Sequence, residues 1–336
     1  MRATTVLLDH GAGGRASREL TEEIFAKHLA NPFLAPMDDA AVLPASPLDL
    51  AVSTDTFVVT PLFFPGGDIG SLAVHGTVND VAMQAAQPRY LTCGFVLEEG
   101  LALELLERAV ASLAAAAKAV GVSVVAGDTK VVGRGQADGL FINTTGIGVI
   151  PPGRRVGASL AQAGDAILVS GTMGDHGMTI MAARAGLGLT SPLVSDSAPL
   201  TGLVEALYAA GVTPHVLRDP TRGGLATALK EIALASEAGL ELTEAAIPLS
   251  PAVIGAAELL GLEPLYLANE GKLIAIVPGD QAETARQTLQ NHPLGQKAQI
   301  IGQVQSARPG RVWLNTAVGG QRPLEMLTGE PLPRIC

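Results

Sequence analysis

Apolar and polar residues alternate with a period of two in Leu50 to Val59, Leu91 to Leu97, Val122 to Ala126 and Leu140 to Ile150. This alternation predicts strands, because successive side chains in a strand point to opposite faces. A helical period runs through Ala16 to Leu29, Ser71 to Ala86 and Leu101 to Val120. The run Pro151-Pro152-Gly153-Arg154-Arg155 then interrupts the pattern and reads as a domain boundary. Beyond it, Ala166 to Ser170 and Leu273 to Val277 read as strands, and Ile300 to Val304 as a final strand. Helices are expected over His176 to Ala185, Leu203 to Ala210, Gly223 to Ala238 and Gln281 to Asn291. Strands and helices mix in both halves without a strict βαβ rhythm. The expected fold is therefore α+β with two domains, 1–150 and 151–320, each a mixed sheet covered by helices, followed by a tail over 321–336. No short-period repeat points to a solenoid.

A chain of 336 residues exceeds one ordinary core, which supports the two-domain reading. Apolar residues reach 48% but aromatics only 3%, so the cores must be built from Ala, Val, Leu and Ile. The formal charge of −10, with no Lys/Arg-rich run, argues against a nucleic-acid or anionic-membrane surface. No secretory-type leader and no membrane-spanning apolar run is visible. Cys93 and Cys336 are too few for a disulfide framework, so a cytoplasmic setting is expected. Cys93 reads as a small buried strand residue.

Cys336 is different, because it is the last residue. A thiol there cannot brace a fold from both sides, and chain ends are usually mobile. Pro331 and Pro333 stiffen the approach by fixing φ, which predicts a semi-rigid, extended arm carrying a nucleophile.

Five clusters place an Asp among small residues: Asp38-Asp39, Ser53-Thr54-Asp55, Gly76-Thr77-Val78-Asn79-Asp80, Gly127-Asp128-Thr129-Lys130 and Asp219-Pro220-Thr221-Arg222. Each alone is what turns use. Together they suit Mg²⁺, which takes oxygen ligands from dispersed carboxylates and substrate phosphates. His10-Gly11-Ala12-Gly13-Gly14-Arg15 and Thr221-Arg222-Gly223-Gly224 each precede an expected helix, where backbone N–H groups can cradle phosphate. The first lacks the ending of a P-loop. The six histidines show no metal-ligand spacing. His75 and Asn79, four apart, share a helix face, toward either a site or the core. Lys130 is either a solvated lysine or a cation beside phosphates. Glu270, in Asn269-Glu270-Gly271-Lys272, is either a surface turn carboxylate or a general base.

Taken together, these segments resemble the HypE family of hydrogenase maturation factors, carbamoyl dehydratases of the superfamily of aminoimidazole ribonucleotide synthetase and selenophosphate synthetase. The resemblance runs from His10-Gly11 to Pro333-Arg334-Ile335-Cys336, and its specific parts include Pro61-Leu62-Phe63-Phe64-Pro65-Gly66-Gly67 and Asn269-Glu270-Gly271-Lys272. The Pro-Arg-Ile-Cys ending separates this family from its relatives; at the place of His75 some members carry Cys. The resemblance implies a PurM-like homodimer packed through N-terminal-domain strands. It implies ATP with Mg²⁺, held near Gly11, Gly13, Gly14, Asp39, Thr54, Asp55, His75, Asn79, Asp80, Asp128, Asn143, Asp219 and Arg222, with Asp39, Asp55, Asp80, Asp128 and Asp219 as metal ligands. It also implies a carbamoyl group delivered to Cys336 by a carbamoyltransferase (HypF) and a cyano group passed to HypC–HypD for the nickel–iron cofactor. Lys130 and Glu270 are the expected charge stabiliser and base. Two other readings share these clusters: a small-metabolite synthetase or kinase of the superfamily, and a non-catalytic thiol carrier switched by nucleotide.

Overall fold

The computed structural model describes residues 4–7, 19–32, 47–186, 193–327 and 334–336. Its first sheet has four strands in the order β1-β6-β4-β5, where β1 is Leu50–Phe57, β4 Gln87–Glu98, β5 Ser123–Val132 and β6 Leu140–Val149. Only β4 and β5 pair in parallel. That pairing needs a crossover, which is the helix α2, Leu103–Val120, ended by Gly121 at φ 80°. Its buried Leu106, Ala109, Val110, Leu113, Ala116 and Ala117 recur at helical spacing, so one stripe covers the sheet. A short hairpin of β2 (Phe63–Phe64) and β3 (Gly67–Asp68) leads into α1, Ile69–Ala82.

The helix α1 begins two residues before the periodic pattern, because Asp68 caps it. Asp68 Oδ1 accepts from the N–H groups of Gly70 (2.8 Å) and Ser71 (3.0 Å), while Ser71 Oγ accepts from the Asp68 N–H. Buried on nearly every side, α1 is the central helix against this sheet. Among the described residues the opposite sheet face carries no helix. It presents Leu50 and Val52, which are 53% and 64% exposed.

The second sheet has seven strands in the order β13-β12-β9-β11-β7-β10-β8. They are β7 (Ala166–Val169), β8 (Val216–Arg218), β9 (Gly239–Thr243), β10 (Ile274–Val277), β11 (Gln299–Gln305), β12 (Val312–Asn315) and β13 (Gln321–Leu324). One pairing, β12 with β9, is parallel. Helices α3 (Asp175–Ala185), α4 (Thr201–Ala209), α5 (Gly224–Ser236), α6 (Pro251–Leu260) and α7 (Ala282–Gln290) complete this half. Both sheets are mixed and helix-covered, as the pattern predicts.

Four details correct the sequence reading. Ile300 to Val304 is not the final strand, because the hairpin β12–β13 follows it. Residues 321–324 are therefore strand rather than the start of a tail. Pro323 is compatible with that because β13 is an edge strand, where a missing N–H is tolerated. The short strands β8 and β9 and the helix α6 were not legible, being brief or almost wholly apolar. The strand expected over Val122 to Ala126 continues to Val132, so Asp128 and Lys130 lie within it rather than at its end.

Candidate active site around the terminal cysteine

The loops at the junction of the two sheets enclose a cavity of about 480 Å³ lined by Ser53, Thr54, Asp55, Asp80, Arg218, Asp219, Arg222, Glu270 and Cys336, among others. Each acidic group arrives from a different element. Asp55 lies in β1, where its Oδ1 accepts from the Thr56 N–H at 2.7 Å. Asp80 lies in α1 and accepts from Ser53 Oγ at 2.7 Å, which ties the helix to β1. Asp219 follows β8, and Glu270 precedes β10. These are strand and helix positions as much as turns, which is a firmer mounting than the sequence clusters suggested.

Burial and mutual repulsion dominate the electrostatics. Burial pushes Asp219 up to about 7, with the Asp80 and Asp55 charges adding to the effect. Asp55 and Asp80 are also raised, mainly by burial. Glu270, 3% exposed, is raised well above the usual carboxylate range by burial and then by Asp219, Asp196, Asp55 and Asp80. A pocket of crowded, desolvated carboxylates is a place where a cation relieves strain. Hard oxygen donors of this kind suit Mg²⁺ completed by substrate phosphate. Among the described residues no three or more His, Cys, Asp or Glu side chains are grouped so that they could hold a metal ion by themselves.

Glu270 is held from behind. Its N–H donates to Asp196 Oδ1 at 3.0 Å, and Asp196 Oδ2 in turn pairs with Lys272 Nζ at 3.0 Å. Its carbonyl accepts from Asn79 Nδ2 at 3.3 Å. Asn79 also donates to the Ala198 carbonyl (3.0 Å) and accepts from the Leu200 N–H (2.8 Å). A side chain at residue 271 would not fit, because a Cβ on Gly271 would lie 1.7 Å from the Asp196 carbonyl oxygen. His75, one turn before Asn79, lies 3.0 Å from Ser197 Oγ, and burial lowers it to about 4, so it is neutral. Residues 193–200 thus brace the site. Their sequence is irregular and gave no signal of this role.

The tail is docked. The Val58 N–H donates to a main-chain oxygen of Cys336 at 3.0 Å, and Arg334 Nε donates to the Val58 carbonyl at 3.0 Å. Ile335 is 2% exposed and Cys336 9%. Cys336 and Cys93 are both unoxidised, and burial pushes Cys93 up to about 12, as befits an inert core thiol.

The remaining expected residues divide by sheet face. Thr56, Asn143, Gly94 and Asp128 stand opposite one another across four strands, so they share one face. That is the helix-free face. Asp55, one position on, points to the other side with Thr144, whose Oγ1 donates to the Ala73 carbonyl of α1. Asn143 Nδ2 bonds the Asp55 carbonyl (2.9 Å) and Thr56 Oγ1 (2.9 Å), and Thr54 Oγ1 accepts from Thr145 Oγ1 (2.9 Å). Lys130 pairs with Asp128 at 2.7 Å, both largely exposed and outside the Cys336 cavity. Gly11, Gly13, Gly14 and Asp39 lie outside the described residues.

Comparison with known proteins accords with this geometry. Residues 37–150 match the N-terminal domain of AIR synthase related proteins, and residues 162–315 match their C-terminal domain. The chain is 52% identical over 336 residues to carbamoyl dehydratase HypE of Azotobacter vinelandii, spanning 100% of this chain and 98% of the relative. A crystal structure of hydrogenase maturation protein HypE in complex with ATP superimposes with a TM-score of 0.96 at 54% identity, covering 99% of this chain and 100% of that one. A HypE–HypF complex matches with a TM-score of 0.80 at 46% identity, over 92% and 99%. With the two-domain fold, the acidic pocket and the terminal cysteine inside it, this chain belongs to the HypE family of carbamoyl dehydratases.

Proposed function

We propose that the protein dehydrates an S-carbamoyl group on its own Cys336 to an S-cyano group at the expense of ATP, supplying the cyanide ligand for nickel–iron hydrogenase assembly. One observation carries this reading: the terminal Cys336 lines a cavity walled by Asp55, Asp80, Asp219 and Glu270. The chemistry needs such a place. Converting S–C(=O)–NH₂ to S–C≡N removes the oxygen and both nitrogen-bound hydrogens. Hydroxide leaves poorly, whereas an oxygen phosphorylated by ATP leaves as phosphate. Phosphoryl transfer asks the protein mainly for positioning and charge neutralisation.

In this reading Asp55, Asp80 and Asp219 would hold Mg²⁺ together with the nucleotide phosphates, and the ion would supply positive charge there. Arg222 adds a guanidinium on the same wall. Glu270 takes the nitrogen protons; its raised proton affinity makes it a stronger base than an ordinary carboxylate once ionised. Asn79 and Asp196 fix its backbone, and neutral His75 lines the same helix face without adding charge.

Asp128, Lys130, Thr54 and Asn143 enter through a homodimer. The helix-free face is apolar at its β1 edge, where Leu50 and Val52 lie exposed, and a second copy covers it. Val52 and Thr54 also line the Cys336 cavity. Packing two such faces together brings the Asp128–Lys130 pair of one protomer to the rim of its partner's pocket, where Lys130 steadies charge on the transferring phosphoryl group. A HypF carbamoyltransferase loads the thiol and a HypC–HypD complex receives the cyano group. Among the described residues no helix is long and apolar enough to cross a membrane, and a chain with two cysteines and no disulfide framework suits a reducing cytoplasm. The test is phosphate release from the carbamoylated chain mixed with ATP. One phosphate should appear per water lost, and a Cys336→Ser chain should release none above background.

A further inference from the structure

The last three residues are bound by groups that no role in the chemistry explains. The Arg334 guanidinium pairs with Asp138, which lies in the turn between β5 and β6. Arg184, near the end of α3, donates from Nε to the Thr60 carbonyl at 2.6 Å and from a second nitrogen to the Arg334 carbonyl. The buried His176, at the start of the same helix, reaches the Ile335 carbonyl through Nε2 at 2.8 Å. A carbonyl only accepts, so Nε2 carries the proton and Nδ1 accepts from Ser195 Oγ at 2.8 Å. Ser195 Oγ accepts in turn from the Ser197 N–H at 3.1 Å. A main-chain oxygen of each residue from 334 to 336 is thus read by the protein, by Arg184, His176 and the Val58 N–H in order.

We propose that Asp138, Arg184 and His176 form a receptor for the chain's own Arg-Ile-Cys ending, and that Asp138 is the positioning residue that locks it so the sulfur stays in the acidic cavity. This inference deepens the dehydratase reading and rests on it for its purpose, though not for its geometry. Three features argue for a lock rather than incidental packing. Arg334 sits at φ 53°, a left-handed conformation that costs a non-glycine residue free energy and persists only when its surroundings impose it. Burial, and then the positive charge of Arg334, lower the proton affinity of Arg184, which donates to the Arg334 main-chain oxygen. Asp138 supplies the opposing charge, so without it the tail meets a like charge. Finally, Ile335 is enclosed in the same apolar cluster as Met178 and Leu193, which sets a second requirement next to the thiol. The strain and the paired cations keep docking reversible, as a tail that must also reach other proteins requires.

The experiment uses the full chain as Asp138→Arg, Arg334→Asp and the double exchange. The first readout is the rate at which N-ethylmaleimide alkylates Cys336, followed on the C-terminal peptide; buried Cys93 serves as the internal control. The second is ATP-dependent loss of water from the carbamoylated chain, with KM for ATP measured alongside. Each single variant should expose Cys336 about fivefold or more, as expected from losing and reversing a partly exposed ion pair. Each should lower turnover by a similar factor with KM for ATP unchanged, and the double exchange should recover both. A wild-type alkylation rate in the single variants, or no recovery in the double exchange, overturns the lock. If the carbamoylated wild-type chain itself never loses water with ATP, the dehydratase reading fails, while the alkylation series still decides the lock.

Discussion

Replacing Asp219 by Asn should stabilise the protein by an amount that grows from about pH 4 and is full above about pH 7. Asp219 is 7% exposed and its carboxyl rises from 3.8 to about 7, chiefly through burial and then through Asp80 and Asp55. Between about pH 4 and pH 7 the folded chain therefore keeps a proton that the unfolded chain has lost. Stability falls across that window as pH rises, and the full penalty stands above pH 7. A shift of about three units corresponds to about 4 kcal/mol. Water entering the open cavity reduces this, so the expected gain for the neutral amide is about 2–4 kcal/mol at pH 8 and near zero at pH 4. Removing this charge also relieves Glu270, for which Asp219 is the foremost of the repelling carboxylates. Urea unfolding of both proteins in metal-free buffer at a series of pH values measures the gap. Adding Mg²⁺ and ATP should narrow it by stabilising the wild type alone. A gap independent of pH, or a wild type that is the more stable at pH 8, would refute the claim that Asp219 is held ionised against its surroundings.

Three further substitutions test other parts of the account. Glu270→Gln should still fold and accept a carbamoyl group but lose dehydration by about a hundredfold or more, the scale of a missing general base; ordinary turnover would remove Glu270 from the mechanism. Gly271→Ala forces a Cβ to within 1.7 Å of the Asp196 carbonyl, so it should destabilise by about 2 kcal/mol and slow turnover by displacing Glu270; urea unfolding at wild-type midpoint would contradict the packing. Val52→Asp places a charge on the helix-free sheet face; if the proposed homodimer packs there, sedimentation should show a dimeric wild type and a monomeric variant, and an unchanged sedimentation coefficient would contradict that interface.

How much of this was legible in the sequence depended on the kind of signal. Strands β1, β4 and β6 and the helix α2 showed their period because one face is buried and the other is not. The helix α6 and strands β8 and β9 are too short or too uniformly apolar to show one. Asp55, Asp80, Asp219 and Glu270 stood out as candidates because acidic residues among small ones are conspicuous. What the sequence could not show was the sheet face each occupies. Asp55 and Asp128 looked equivalent, but pairing with Thr144 and Gly94 respectively sets them on opposite sides. The bracing run 193–200 and the receptor residues His176 and Arg184 were silent, because their partners are backbone groups far away in the chain. The terminal cysteine advertised a mobile thiol; its residence inside the protein came only from the structure.

The central claim is that this chain uses its own end as a covalent substrate. The most direct test is the mass of the C-terminal peptide after the thiol has been carbamoylated by its transferase and ATP added. The account predicts that the modified peptide loses one water when ATP is present and none when it is withheld. A carbamoylated peptide that keeps its mass in the presence of ATP would contradict it.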